Sequence, residues 1–225
     1  MAGLLDGLRG GLVVSCQPVT GGPMDRVDIV VALALAARDG GAAGLRIEGA
    51  ANVAAVRRAC ELPIIGLIKR DLPDSPVRIT PLIEDVAALA EAGADVIAFD
   101  ATARPRPVAV PDLLDETKRL GRLAMADCSD LADATAAAKA GADIVGTTLS
   151  GYTGGPVPVE PDLAFVRDAA RTLDVPVVAE GRYHTPAAAT DAIKAGAFCV
   201  VVGSAITRTE HVTGWFKAAV AGASP

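Results

Sequence analysis

Two charged side chains close apolar runs in this sequence: Lys69 ends Ile64–Lys69 and Glu180 ends Val177–Glu180. Each would lose hydration there, so a purely structural role explains them poorly. A lysine held neutral can take a proton, or it can form a Schiff base with a carbonyl. A carboxylate can act as the partner acid or base. Six further apolar runs also end in polar residues. Leu12–Gln17 finishes in Ser15-Cys16-Gln17, and Gly44–Glu48 carries Arg46 and Glu48 before Gly49. Asp95–Asp100 leads into Ala101-Thr102, and Leu123–Asp127 into Cys128-Ser129. Asp143–Thr148 leads into Leu149-Ser150, and Phe198–Gly203 into Ser204. Serine, threonine and glycine suit any strand exit, but the charged residues do not follow from that need.

A recurring phrase identifies the elements that must place these ends. EAGADVIAFD at 91–100, KAGADIVGTT at 139–148 and KAGAFCVVVG at 194–203 repeat, with a looser copy, RDGGAAGLRIEG, at 38–49. Each joins a helix end to a strand through glycine, which tolerates the left-handed turn that closes a helix. The β-branched run that follows suits a strand. The repeated unit is one helix-to-strand step. Eight such strands with helical patterns between them and no long linker predict an α/β fold, a single (β/α)8 TIM barrel over residues 1–225. An open sheet has the same periodicity, but no GxGxxG follows the first strand. Helix starts are expected at Thr80-Pro81 and Thr185-Pro186, and Thr207 with Glu210 has capping-box spacing.

In such a barrel the reacting groups sit at the C-terminal ends of the strands. Alternation places Lys69, Leu67 and Ile65 on one face, Asp127 with Met125, and Gln17 with Ser15. Cys16 and Cys128 then face the helices as small core residues. The loops after the seventh and eighth strands often hold phosphate. Here they read Glu180-Gly181-Arg182 and Gly203-Ser204-Ala205-Ile206-Thr207-Arg208. Glycine lets the backbone approach an anion, amides donate, and Arg208 can clamp it. His184 neighbours this loop and His211 lies in the last helix. Neither joins a cluster at ligand spacing, so no metal and no redox cofactor are expected.

Composition excludes other classes. Hydrophobic residues make up 51% but aromatics only 3%, so the core is aliphatic, as suits a parallel sheet buried on both faces. A net charge of -6 argues against a nucleic-acid surface. The stretch Ile29–Ala37 falls short of the roughly 20 residues a bilayer span needs, and no secretion signal is read at the N-terminus. A cytoplasmic protein without membrane contact is expected. Four scattered cysteines without a CxxC pair give no disulfide framework. Ile29–Ala37 and the last helix are candidate surfaces for a homodimer, and Trp215 and Phe216 pack that helix against the barrel or a partner subunit.

Taken in order from Gly11 to Trp215, GLVVSCQP, RIEG, IIGLIKRDLPDSPVRIT, FDATARPRP, ADCS, IVGTTLSGYT, AEGRYHTP and VGSAITR resemble the N-acetylmannosamine-6-phosphate 2-epimerase family. The resemblance implies a (β/α)8 barrel that interconverts N-acetylmannosamine 6-phosphate and N-acetylglucosamine 6-phosphate in sialic-acid breakdown. It implies a small sugar phosphate as partner and no cofactor. It makes Lys69 of IKRD and Glu180 of AEGR the acid/base residues, and Gln17, Arg46 and Asp127 sugar ligands. Gly181, Arg182, Gly203, Ser204 and Arg208 become the phosphate site. One departure is Ala126, where some relatives are expected to carry threonine; alternation turns it toward the helices. The implied reaction removes the C2 proton and returns it on the opposite face. That proton is acidic only while C1 is an aldehyde, so the ring opens first. Lys69 must be neutral to act as base; burial and Arg46 favour this, while Glu48 and Asp127 oppose it. The residues leave open which of the pair takes the proton in each direction. Two rivals remain: an aldolase using Lys69 as a Schiff base, and a non-catalytic sugar-phosphate sensor.

Overall fold

A computed structural model describes residues 2–223. The strands are β1 (Leu12–Cys16), β2 (Gly44–Glu48), β3 (Ile64–Leu67), β4 (Val96–Asp100), β5 (Leu123–Asp127), β6 (Ile144–Gly146), β7 (Val177–Glu180) and β8 (Cys199–Val202). The helices are α1 (Ala2–Leu8), α2 (Val27–Asp39), α3 (Ala50–Ala59), α4 (Ile83–Glu91), α5 (Val110–Arg119), α6 (Leu131–Ala140), α7 (Leu163–Thr172), α8 (Pro186–Lys194), α9 (Ser204–Thr207) and α10 (Thr209–Gly222). All strand pairs are parallel, and β1 pairs with β8 through Val13↔Val201 and Val14↔Val202. That pairing closes the sheet into a (β/α)8 barrel, which periodicity alone leaves undecided.

Alternation sorts the core into two shells. Inside the barrel lie Val13, Ile65, Leu67, Met125, Ile144, Val178 and Val201. Between strands and helices lie Leu45, Ile47, Val53, Leu89, Ile97 and Phe99, with Cys16, Ala126 and Cys128 on this outer face as expected. The short helix α1, which the sequence did not suggest, places Leu8 in the inner shell. The repeat glycines close helices as anticipated. Gly141 caps α6 at φ 98°, a left-handed conformation that a side chain would strain.

Several local expectations change. Strands β1, β3, β6 and β8 stop one to two residues early, so Gln17, Lys69, Thr148 and Gly203 stand just beyond the ladder. Thr185 caps α8 by accepting from the Ala188 amide. Thr80 caps nothing: α4 starts later, and Thr80 is buried with φ 44°. Its hydroxyl donates to the Ala98 carbonyl at 2.6 Å and accepts from the Ile68 amide at 3.2 Å, pinning the β3 loop. Thr207 likewise forms no capping box, since its hydroxyl donates to the Ser15 carbonyl at 2.7 Å. Tertiary partners outcompete the local cap in both cases. The connections 17–26, 68–82 and 147–162 are longer than expected, and all three lie at the C-terminal ends of strands. Among the described residues no helix is long and apolar enough to cross a membrane.

Candidate active site

Four strands converge on one buried ion cluster. Arg46 of β2 donates to Asp127 of β5 at 2.6 and 3.2 Å, and lies 2.9 Å from Glu180 of β7. Thr148, beyond β6, donates to Asp127 at 2.6 Å and to Glu180 at 3.3 Å. The side chains of Arg46, Asp127 and Glu180 are 1%, 0% and 15% exposed. Such a cluster holds together because every charge has a partner; one left alone would be strongly destabilising. Thr147 fixes the carboxylate's backbone, donating to the Glu180 carbonyl at 2.9 Å and accepting its amide at 3.1 Å.

Lys69 reaches the same centre from β3. Its ammonium donates to Gln17 Oε1 at 2.7 Å, and Gln17 Nε2 donates to Ser15 at 2.8 Å. Its backbone amide donates to Glu48 at 3.2 Å. Burial, then the positive charges of Arg208 and Arg46, bring Lys69 down to about 8, against the pull of Glu48 and Glu180. The influence of Arg208 on Lys69 was not among those expected from the sequence, which set Arg208 against the phosphate alone. Burial pushes Glu180 up to about 7, helped by Asp127 and opposed by Arg46 and Lys69. Cys16 and Cys199 are pushed up to about 12 by burial, and Cys128 is pushed up too, so these thiols are inert at neutral pH.

Two cavities meet at this pair, and Gln17, Lys69, Thr148, Tyr152 and Glu180 line both. The smaller, of 240 Å³, runs toward β7 and β8 and is lined by Gly181, Arg182, Gly203, Ser204 and Arg208. The larger, of 310 Å³, runs toward β3 and β4 and is lined by Arg46 and Arg104. All ten residues expected from the sequence thus gather here, though not in equal positions. Asp127 lines neither cavity; its oxygens face Arg46 and Thr148, so it stands behind the ligand surface. Arg182 donates to the carbonyls of Glu160 and Ser150 at 2.7 and 2.5 Å, which ties its guanidinium to the β6–α7 loop. Arg208 is freer: its Nε donates to the Gln17 carbonyl at 2.8 Å.

Thr148, Tyr152, Asp100 and Arg104 are the site residues that sequence reasoning left out of the set. Thr148 did stand at a strand end, but a hydroxyl there looks like any strand exit. Tyr152 and Arg104 sit on loops whose path the sequence does not give. His184 lines the smaller cavity and its ring lies 4.5 Å from that of Trp215 on α10. Among the described residues no group of three or more His, Cys, Asp or Glu side chains is placed to hold a metal ion.

Residues 30–222 match the protein family described as "Putative N-acetylmannosamine-6-phosphate epimerase". A Klebsiella pneumoniae protein named "Putative N-acetylmannosamine-6-phosphate 2-epimerase" is 58% identical over 212 residues, which are 94% of this chain and 90% of that protein. A Brucella melitensis protein named "Bifunctional enzyme NanE/NanK" is 61% identical over 222 residues, which are 98% of this chain but 43% of that protein. The chain therefore spans less than half the length of this bifunctional relative. The structure of the N-acetylmannosamine-6-phosphate 2-epimerase from Clostridium perfringens aligns with a TM-score of 0.93 at 40% identity, covering 96% of this chain and 95% of that one. By both its residues and its fold, this chain belongs to the N-acetylmannosamine-6-phosphate epimerase family.

Proposed function

We propose that the barrel interconverts N-acetylmannosamine 6-phosphate and N-acetylglucosamine 6-phosphate by proton exchange at C2, as a step of amino-sugar and sialic-acid breakdown. One observation carries the reading: Lys69, brought down to about 8, and Glu180, brought up to about 7, flank the seam of two cavities. A base and an acid with values near neutrality are what a reversible proton transfer at carbon needs.

In this mechanism the phosphate rests on Arg208 and on the amides around Gly181, Gly203 and Ser204, where the first amides of α9 have no intrahelical acceptor. The open sugar chain then brings C2 to the seam. One of Lys69 and Glu180 removes the proton, and the other returns one from the opposite face. Negative charge builds on the C1 oxygen meanwhile, and the buried cation of Arg46 beside Glu180 can meet it. Asp127 acts through Arg46 and Thr148, and Gln17 aims the lysine. No electrons leave the sugar, so the exchange needs no oxidant or reductant.

The further partner proposed is a second copy of the chain, meeting it through α10, which buries none of its residues. The proposed setting is the cytoplasm, because a phosphorylated sugar does not cross a bilayer unaided.

The test is incubation with N-acetylmannosamine 6-phosphate in D2O, followed by proton NMR. Loss of the C2 proton together with appearance of N-acetylglucosamine 6-phosphate is expected. No change from folded protein would sink the reading in favour of a sensor. A borohydride-trapped adduct on Lys69 would replace proton transfer with a Schiff base.

A further inference from the structure

Lys69 stands where the sheet has come apart on one side. The ladder between β3 and β4 holds only Ile65↔Val96 and Gly66↔Ile97, whereas β4 and β5 stay paired as far as Asp100↔Asp127. The chain that carries the lysine has therefore left the β4 ladder before it reaches position 69. A returning segment, residues 77–80, fills the opening. Its Thr80 amide donates to the Ile68 carbonyl at 2.6 Å, and the Arg70 amide donates to the Arg78 carbonyl at 2.9 Å. Lys69 thus faces Ile79 across a short antiparallel bridge. On its other side the segment meets β4, where the Asp100 amide donates to the Ile79 carbonyl at 3.0 Å.

One hydroxyl ties these segments together. Thr80 Oγ1 donates to the Ala98 carbonyl of β4 at 2.6 Å and accepts at 3.2 Å from the amide of Ile68, the residue before the lysine. A hydroxyl has one proton to give and lone pairs to receive, so both bonds stand at once. Thr80 is 0% exposed, and buried backbone groups need such partners. Yet threonine is a poor choice for the backbone it adopts. At φ 44° its branched side chain is strained, and glycine would adopt the same conformation freely. Among the described residues only Arg182 shares a positive φ without being glycine. Strain held at a buried position points to a use for the side chain. Capping is not that use, since α4 begins later.

We propose that Thr80 is a positioning residue for Lys69: its hydroxyl replaces the missing ladder bonds and fixes the backbone from which the lysine reaches Gln17 and the reacting carbon. Thr80 lines neither cavity, so it acts only through the lysine it holds. The proposal rests on the epimerase reading above and deepens it by naming what keeps the proton-transfer group in place.

The experiment measures kcat and KM for N-acetylmannosamine 6-phosphate in the native protein, Thr80→Val, Thr80→Ser and Thr80→Gly, with thermal melting of each. Thr80→Val keeps the shape and removes the hydroxyl. Its kcat should fall about ten-fold or more, because small displacements of a reacting group cost at least that much. Its KM should stay within about two-fold, because Arg208 and the phosphate loops are untouched. Thr80→Ser keeps the hydroxyl and should recover kcat to within about three-fold of native, a rescue that packing alone would not give. Thr80→Gly separates position from stability. It relieves the strain but lacks the hydroxyl, so it should show the fall in kcat while staying folded, and it decides the matter if Thr80→Val does not fold. A native kcat in folded Thr80→Val or Thr80→Gly overturns the proposal. So does a loss in Thr80→Ser as deep as in Thr80→Val, or a loss carried by KM with kcat unchanged. A native protein that turns over its substrate regardless of these changes overturns the proposal alone. A native protein without turnover overturns the epimerase reading, and this assignment with it.

Discussion

At Lys69 and Glu180 burial opposes both charges, drawing the lysine down to about 8 and the carboxyl up to about 7. Exchange requires the pair to share one proton. As pH falls through about 7, Glu180 gains a proton while Lys69 keeps its own. As pH rises through about 8, Lys69 loses its proton and Glu180 has already lost its own. A bell-shaped kcat/KM profile with limbs near 7 and 8 is therefore expected, and a flat profile from about pH 6 to 9 would remove the pair from catalysis. The same burial has a stability consequence. Lys69 sits below its ordinary value of 10.5, so the folded state binds its proton less tightly than the unfolded state. That weakens the fold fully below about pH 8, and the penalty fades as pH rises to about 10.5. Lys69→Met keeps the length without the charge. It should lose turnover by about 100-fold or more, yet gain about 1–3 kcal/mol of stability at pH 7 by urea unfolding. A less stable variant would mean that the bond to Gln17 outweighs the burial of the charge.

The elements carry these residues with little slack. Gly146 ends β6, where an added Cβ would lie 2.5 Å from Met125 Cε, 3.0 Å from the Thr148 hydroxyl and 3.1 Å from Asp127. Gly146→Ala should therefore displace the two groups that hold Arg46 and Glu180. The expected result is a fall in kcat of about ten-fold or more, with about 1–3 kcal/mol of lost stability. An unchanged kcat would show that Asp127 and Thr148 can shift without consequence. Arg208, at the junction of α9 and α10, both lines the smaller cavity and lowers Lys69, so its loss should have two effects. Arg208→Ala should raise KM by weakening phosphate binding, tested with inorganic phosphate as competitor. It also removes a positive charge that lowers Lys69, so the alkaline limb of the pH profile should move upward. A raised KM with an unmoved limb would restrict Arg208 to the phosphate.

Across the whole molecule, α10 is the one long helix without a buried residue among those described, and Phe216 and Val220 on it are 71% and 70% exposed. Such a face is unusual for a helix in a closed barrel, where the apolar stripe normally meets the strands. Covering it with a second copy is expected to make the native protein a dimer by light scattering. Phe216→Glu should then shift it toward monomer at micromolar concentration. A native monomer would leave the face to some other use.

The sequence by itself determined the alternation of helices and strands, the eight strand ends and the faces to which their side chains turn. These follow from local rules: glycine after a helix, β-branched runs in strands, and a period of two along each strand. That is why Lys69, Glu180, Arg46 and Gln17 were legible one strand at a time. Closure of the barrel was not legible, because it is a pairing between β1 and β8 at opposite ends of the chain. Only the tertiary structure set Arg208 against Lys69, placed Asp127 behind Arg46 and brought the loop residues Tyr152 and Arg104 to the cavity wall. It also redirected Thr80 and Thr207 from capping helices to pinning loops. Each of these depends on contacts between residues distant in sequence, and the shifts that draw Lys69 down and Glu180 up arise from that same burial and proximity.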